Sequence, residues 1–312
     1  MTEAFARDRT SGSGDVGRGF LDALERWAAV DRSADAPALR SALLAWLRGC
    51  QAAQPSMALV HQFAARALAV ADTAVQRGDR AADLRAHLAA SCTAERRDLE
   101  QAVADAAKVA AELVTASASA GPASIPWIAT LSASGGVLAA VLALQRAGRT
   151  PRVLVAESRP RLEGRDTARA LAAAGIETWL VADAALPLLI SQAAAVWLGA
   201  DAVTEQGVIN KIGSYTAALA AREHGVPVWA IAVRRKLVPG GTPALGIAEM
   251  PPGEIWEDAP KGVQPRNVYF EMVPAPLLRG VVVEDGVLGV TECAVAARDR
   301  ALPAELAAAL RP

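Results

Sequence analysis

The chain reads as an α/β protein, with a helical N-terminal domain followed by a Rossmann-like domain built on a parallel sheet. Two rhythms and the break between them predict it. Up to Ser117, apolar residues recur at helical spacing with no strand-like alternation. From Trp127 onward, short apolar runs alternate with amphipathic ones, as βαβ units require. Between the two, GPASIP interrupts both patterns.

The opening MTEAFARDRTSGSGDVGRG is polar and glycine-rich, and residues 1–18 are expected to be disordered. Residues 19–120 form the expected helical domain, carried by FLDALERWAAV, ALRSALLAWLRG, MALVHQFAARALAVADTAV and a long run from Asp83 to Ser117. Residues 121–312 form the expected C-terminal domain. Its strands are WIAT, RVLVAES, TWLVAD, VWLGAD and WAIAV, with helices at GGVLAAVLALQRAG, EGRDTARALAAAG and SYTAALAAREHG. These strands are too uniformly apolar for a sheet with one wet face, so helices are expected on both sides.

With 32 basic against 33 acidic residues, the net charge is −1. That balance offers no electrostatic case for DNA, RNA or an anionic membrane. Cys50, Cys92 and Cys293 are far apart, and His61, His87 and His224 are equally scattered, so neither a disulfide framework nor a metal site is expected. The N-terminus lacks an apolar signal core, and the most apolar stretch, ALPLLISQAAAVWLGA, is short and ends in Asp201. A soluble, cytoplasmic protein is expected. Ser134-Gly135-Gly136 lacks the GxGxxG spacing of a dinucleotide site, so NAD or FAD is not expected, and no other cofactor is implied.

Ligands of open parallel sheets bind beyond the C-terminal ends of the strands. There this sequence sets Thr130, Ser132 and Ser134 after the first strand, Glu157 and Arg159 after the second, and Asp183 after the third. Asp201 follows VWLGA, and Arg234 and Arg235 follow WAIAV. Asp183 also suits an ordinary helix cap before ALPLL, and Glu157 and Arg159 could simply pair with each other. Asn210-Lys211 precedes the helix starting near Gly213, so an ammonium and the free N–H groups of a helix start would face the same anionic or polyhydroxylated ligand.

Three stretches, ESRPRLEGRDTARALAAAGIETWLVAD, GADAVTEQGVINKIGSYTAALAAREHGVPVWA and NVYFEMVPAPLLRGVVVEDGVL, carry a resemblance. In order and spacing they resemble the superfamily of methylthioribose-1-phosphate isomerases, ribose-1,5-bisphosphate isomerases and the alpha, beta and delta subunits of initiation factor 2B. The likeness covers about residues 85–290, through ExRPxxEG, GAD, NKIG and NxYFE. It implies the two-domain fold above and a homodimer through the C-terminal domain. In the isomerases catalysis is assigned to a Cys after the first strand and an Asp in the GAD segment. Asp201 matches the Asp, but Thr130-Leu131-Ser132 stands where the isomerases have T-x-C. Their phosphate-gripping Arg-Gly-Ala segment is also absent, the Arg-Gly pairs here being Arg48-Gly49-Cys50 and Arg77-Gly78-Asp79.

The resemblance thus leaves two readings. One is an aldose–ketose isomerase for a phosphorylated or nucleotide-linked sugar, with Asp201 as acid/base, Ser132 in place of the thiol, and Thr130, Ser134, Glu157, Arg159, Asn210 and Lys211 binding the ligand. The other is a non-catalytic factor-2B-like protein that senses a metabolite or binds a partner. A thiol, with a pKa of about 8.5, exchanges a proton near neutrality far more readily than a serine hydroxyl. Asp201 with Asn210 and Lys211 favours the first reading, and the missing Cys favours the second.

Overall fold

A computed structural model describes residues 4–8, 11–117, 127–239 and 249–308. The chain opens with helices α1 (Ala4–Arg7), α2 (Ser13–Val30), α3 (Ala36–Ala53), α4 (Ala58–Arg77) and α5 (Ala81–Ser117). Each long helix turns an apolar stripe inward: Phe20 and Leu24 of α2, Leu39, Leu43 and Leu47 of α3, Phe63 and Leu68 of α4, and Leu84 and Leu88 of α5 share one core. Asp35 starts α3 by accepting the Ala38 amide at 2.8 Å, with Pro37 in the first turn.

Residues 13–18, expected to be disordered, are instead the first turns of α2. The polar letters of SGSGDVGR conceal Val16, which continues the stripe of Phe20 and Leu24 and is buried with them. The 37-residue α5 runs about 55 Å and serves two cores. Its first half packs in the helical core, while Ala107, Ala110, Ala111 and Val114 cover one face of the sheet. The GPASIP break lies outside the described residues.

The remaining elements are β1 (Trp127–Leu131), α6 (Gly135–Arg146), β2 (Arg152–Ala156), α7 (Gly164–Ala173), β3 (Thr178–Val181), α8 (Leu186–Leu189), β4 (Ala195–Leu198), β5 (Ala202–Thr204) and β6 (Gly207–Lys211). After them come α9 (Ser214–Glu223), β7 (Val228–Ile231), β8 (Phe270–Pro274), β9 (Gly280–Val283), β10 (Gly286–Leu288), α10 (Val290–Ala297) and α11 (Ala304–Ala307). Seven strands form one sheet in the order β10-β9-β7-β4-β1-β2-β3, parallel except where β10 pairs antiparallel with β9. Successive residues face opposite layers: Val153 and Val155 meet α5 and α6, while Leu154 and Ala156 meet the side of α8 and α9. Burial on both faces explains the continuous apolar runs. Because the chain steps from β1 outward to β2 and β3, then returns to the other side of β1 with β4, the topological switch lies between β1 and β4.

A second, antiparallel sheet, β5-β6-β8, was not legible in the sequence. GVINK is a buried strand paired to β8, Asn210 opposite Glu271 and Lys211 opposite Phe270, rather than a loop leading into a helix. In the segments VYFEMVPAPLL and GVVVEDGVLGV, Tyr269, Val273 and Val281–Val283 are buried in β8, β9 and their approach. Among the described residues, no helix is long and apolar enough to cross a membrane.

Candidate functional site at the sheet switch point

One cavity opens at the switch point. The end of β1 supplies Ser132 and Ser134, the end of β4 supplies Gly199 and Asp201, and Asn210 and Lys211 of β6 close one wall. Lys236 follows β7, and Leu59, Leu99 and Val103 of the helical region supply an apolar wall. The N-terminal turn of α2, Gly12 to Arg18, completes the lining. At two points glycine permits the closure: a Cβ on Gly12 would lie 2.6 Å from the Ala133 carbonyl, and one on Gly199 would lie 2.7 Å from Ser134 Oγ.

Ser132 is held in an unusual backbone state. Its φ is 62°, in the left-handed region that non-glycine residues rarely occupy. Two hydrogen bonds fix it, the Ser132 amide donating to Ser158 Oγ at 2.7 Å and Thr167 Oγ1 donating to the Ser132 carbonyl at 2.7 Å. Ser158 has φ 66° and is held in turn, because the Asp183 carboxylate accepts the Ser158 and Arg159 amides, both at 2.7 Å. Asp183 therefore clamps the turn after β2; it does not cap a helix before ALPLL. Backbone strain of this kind persists only where surrounding bonds over-determine it, and it concentrates at sites of function.

Asp201 is buried at 7% exposure, its amide donating to the Ile209 carbonyl at 2.8 Å and its carbonyl accepting the Ala58 amide at 3.1 Å. Burial raises its carboxyl pKa above the ordinary value, against the opposing pull of Lys236, the Ser13 hydroxyl and Lys211. Burial also lowers the pKa of Lys236, whose ammonium donates to the Ala200 carbonyl at 2.6 Å, although Asp201 favours its charged form. Burial thus pushes both members of the pair toward their neutral forms.

Asn210 Nδ2 donates to Ser214 Oγ at 2.9 Å, leaving its carbonyl end toward Gly199. Lys211 is fully committed: its ammonium meets Glu163 Oε1 at 2.6 Å, both side chains about 95% buried, and lies 4.6 Å over the Tyr269 ring. The start of α9 is committed as well, since Glu271 Oε1 accepts the Tyr215 amide at 2.8 Å. A free ammonium beside a free helix start, as expected at Asn210-Lys211, is therefore not what forms. The pairing of β6 with β8 brings Glu271 to the helix start, and the loop before α7 brings Glu163 to Lys211.

Ser132, Ser134, Asp201, Asn210 and Lys211 come together at the cavity, whereas Thr130, Glu157 and Arg159 do not line it. Thr130 is buried one turn of the pleat earlier, its hydroxyl having no hydrogen-bond partner among the described residues. Glu157 binds Arg165 at 2.9 Å rather than Arg159, and Arg159 is exposed, reaching the Ile255 carbonyl. Arg48-Gly49 and Arg77-Gly78 also lie elsewhere. The segment that enters from the helical region is Ser11-Gly12-Ser13-Gly14, whose only sequence signal was two glycines before an apolar stripe. Glu163 and Lys236 were missed too. Glu163 stood within a quoted motif, but nothing local revealed its partner 48 residues away. Among the described residues, no cluster of three or more His, Cys, Asp or Glu could hold a metal ion.

The fold is Rossmann-like, with a cavity at the sheet switch point that an N-terminal helical region closes. The chain belongs to the initiation factor 2 subunit family, whose profile matches residues 9–290. It is 35% identical over 146 residues to the ribose 1,5-bisphosphate isomerase of Methanocaldococcus jannaschii, covering 45% of this chain and 47% of that protein. Over 167 residues it is 37% identical to the methylthioribose-1-phosphate isomerase of Oleidesulfovibrio alaskensis, covering 49% and 47%. The chain thus spans about half the length of these curated relatives. The Pyrococcus horikoshii translation initiation factor eIF-2B structure superposes with a TM-score of 0.74 at 26% identity, covering 91% of this chain and 94% of that one. The 5-methylthioribose 1-phosphate isomerase of the same organism shares the fold with a TM-score of 0.73 at 21% identity, covering 96% and 86%.

Proposed function

We propose that the chain is an aldose–ketose isomerase acting on a phosphorylated sugar in the cavity between the ends of β1 and β4. The observation that carries this reading is Asp201, a buried carboxyl held above its usual pKa in the same cavity as Ser132, Asn210 and Lys211. The two isomerase names among the relatives support the reaction class.

An aldose 1-phosphate is locked as a ring, so isomerisation must open it. The C1–ring-oxygen bond breaks, the hydrogen on C2 moves to C1, and the C2 hydroxyl proton ends on the former ring oxygen. Asp201 in its protonated form donates to the ring oxygen, and as carboxylate it accepts the proton of the C2 hydroxyl. Ser132, fixed by Ser158 and Thr167, hydrogen-bonds the oxygen that becomes the ketone. The apolar wall of Leu59, Leu99 and Val103 keeps water from the reacting carbons.

The test is turnover of methylthioribose 1-phosphate, ribose 1-phosphate and ribose 1,5-bisphosphate followed by NMR. Wild-type protein should convert at least one of them, and Asp201→Asn should lower kcat by about 10²–10⁴-fold while retaining binding. A second reading draws on the lack of any thiol at the cavity, because Cys50, Cys92 and Cys293 are buried elsewhere. On that reading the protein senses a sugar phosphate or nucleotide, and wild-type protein binds without converting any of the three.

A further inference from the structure

The serines that flank the corner after β1 spend their hydroxyls on the backbone. Ser134 Oγ accepts the Val137 amide at 3.3 Å, and Ser158 Oγ donates to the Ala156 carbonyl at 3.1 Å. Ser132 is the reverse. Its amide and its carbonyl are both engaged, at 2.7 Å each, while its Oγ has no hydrogen-bond partner among the described residues. The residue is half-buried in the cavity wall, with its backbone fixed and its oxygen free.

Only Ala133 and Ser134 separate Ser132 from α6, so its φ of 62° lies at a corner between a parallel strand and the helix that follows it. A strained serine at such a corner, with its Oγ raised over the C-terminal edge of the sheet, is the geometry of a nucleophile elbow. In the G-x-S-x-G form of that turn, small residues stand two positions to either side. Here Thr130 and Ser134 stand there, and Gly199 makes the room, since a Cβ on it would lie 2.7 Å from Ser134 Oγ. Glycine would hold this φ more easily than serine, so the strain accompanies an unspent hydroxyl. The same cavity holds the Asp201 carboxyl, the Gly135 and Gly136 amides of the first turn of α6, and the apolar wall of Leu59, Leu99 and Val103.

We propose that Ser132 is a nucleophile and that the cavity hydrolyses small carboxylic esters, an activity separate from isomerisation. Ser132 Oγ bonds to the acyl carbon while its proton passes to the Asp201 carboxylate, and the start of α6 meets the charge that develops on the carbonyl oxygen. The bond from the acyl carbon to the alcohol oxygen then breaks, and the alcohol leaves with the proton that Asp201 held. Water attacks the acyl-serine in turn, its proton passing through Asp201 to Ser132 Oγ as the carboxylic acid is released. The acyl group lies along Leu59, Leu99 and Val103.

Labelling of the full chain with an alkyl fluorophosphonate, followed by peptide mass spectrometry, tests this. Ser132 Oγ bonds to phosphorus, fluoride leaves, and the proton passes to Asp201. Wild-type protein should carry the adduct on Ser132 and should hydrolyse p-nitrophenyl butyrate. Asp201→Asn should slow labelling by about 10²-fold. Ser132→Gly should lose both the adduct and the hydrolysis while keeping a Tm no lower than that of the wild type, because glycine relieves the strained φ and the loss then owes nothing to unfolding. Absence of the adduct from wild-type Ser132, equal labelling in Asp201→Asn, or undiminished hydrolysis in Ser132→Gly each overturns the proposal. None of these measurements involves a sugar phosphate, so such a failure leaves the isomerase reading standing. A wild-type protein that is labelled at Ser132 but converts no sugar phosphate supports the nucleophile and fails that reading alone.

Discussion

On the isomerase reading, Asp201 couples chemistry to stability in one side chain. Its folded-state pKa is raised above the ordinary 3.8, so the folded protein holds this proton more tightly than the unfolded chain does. Its contribution is therefore most favourable below that ordinary value and is lost as pH rises through the folded value, at about 1.4 kcal/mol per unit of elevation. Asp201→Asn should flatten this part of the stability profile, measured as Tm against pH, alongside the fall in kcat that the isomerase reading predicts. Ser158 acts through the backbone of Ser132. Ser158→Ala should cost about 1–3 kcal/mol in urea unfolding, because the Ser132 amide loses its acceptor in a strained turn. The sequence placed Ser132 and Asp201 at strand ends correctly, but nothing in it announced that Ser158, Thr167 and Asp183 hold Ser132 in place.

At the scale of elements, α2 and α4 tie the helical region to the site. The start of α2 enters the cavity only because Gly12 has no Cβ to strike the Ala133 carbonyl. Gly12→Ala should displace this turn and raise KM several-fold with little change in Tm, since α2 keeps its core residues. In α4, His61 is buried between Gln51 and Pro55, with Nε2 donating to the Pro55 carbonyl at 2.9 Å and Nδ1 accepting from Gln51 Nε2 at 3.2 Å. Burial lowers its pKa below the ordinary 6.5, so the neutral ring is favoured in the folded state. Its stabilising contribution is complete above 6.5 and is lost as pH falls toward the folded value, because the unfolded chain takes up the proton first. The wild-type Tm should fall on acidification from that point, and His61→Asn should lessen the fall.

Across the whole molecule, the two regions are interlocked rather than joined end to end. Besides the shared α5, Leu306 of α11 returns to the helical core, and Glu305 grips Arg40 with two bonds of 3.0 and 2.5 Å. The cavity lies at this junction and needs both regions to be complete. Self-association is expected from the resemblance, and the edge of the sheet offers an apolar surface for it. Trp179 and Leu180 on edge strand β3 are 45% and 44% exposed, and Leu188 beyond them is 76% exposed. We propose a homodimer through this edge of the sheet. Light scattering should give about twice 32.3 kDa, and a W179S/L180S variant should return a monomer.

The sequence by itself determined the architecture: helical spacing before Ser117, apolar runs after Trp127, and strand ends bearing Ser132, Ser134 and Asp201. Those are local patterns, set by which residues can share a helix stripe or a doubly buried strand, and they need no knowledge of distant partners. Only the tertiary structure decided which polar groups are free. Lys211 and the start of α9 looked available until β6 paired with β8 and the ExRPxxEG loop delivered Glu163. The polar opening SGSG looked disordered until Gly12 docked against the loop after β1. Whether a charge binds a ligand or a neighbour depends on contacts between segments 48 to more than 100 residues apart, and no spacing along the chain records those.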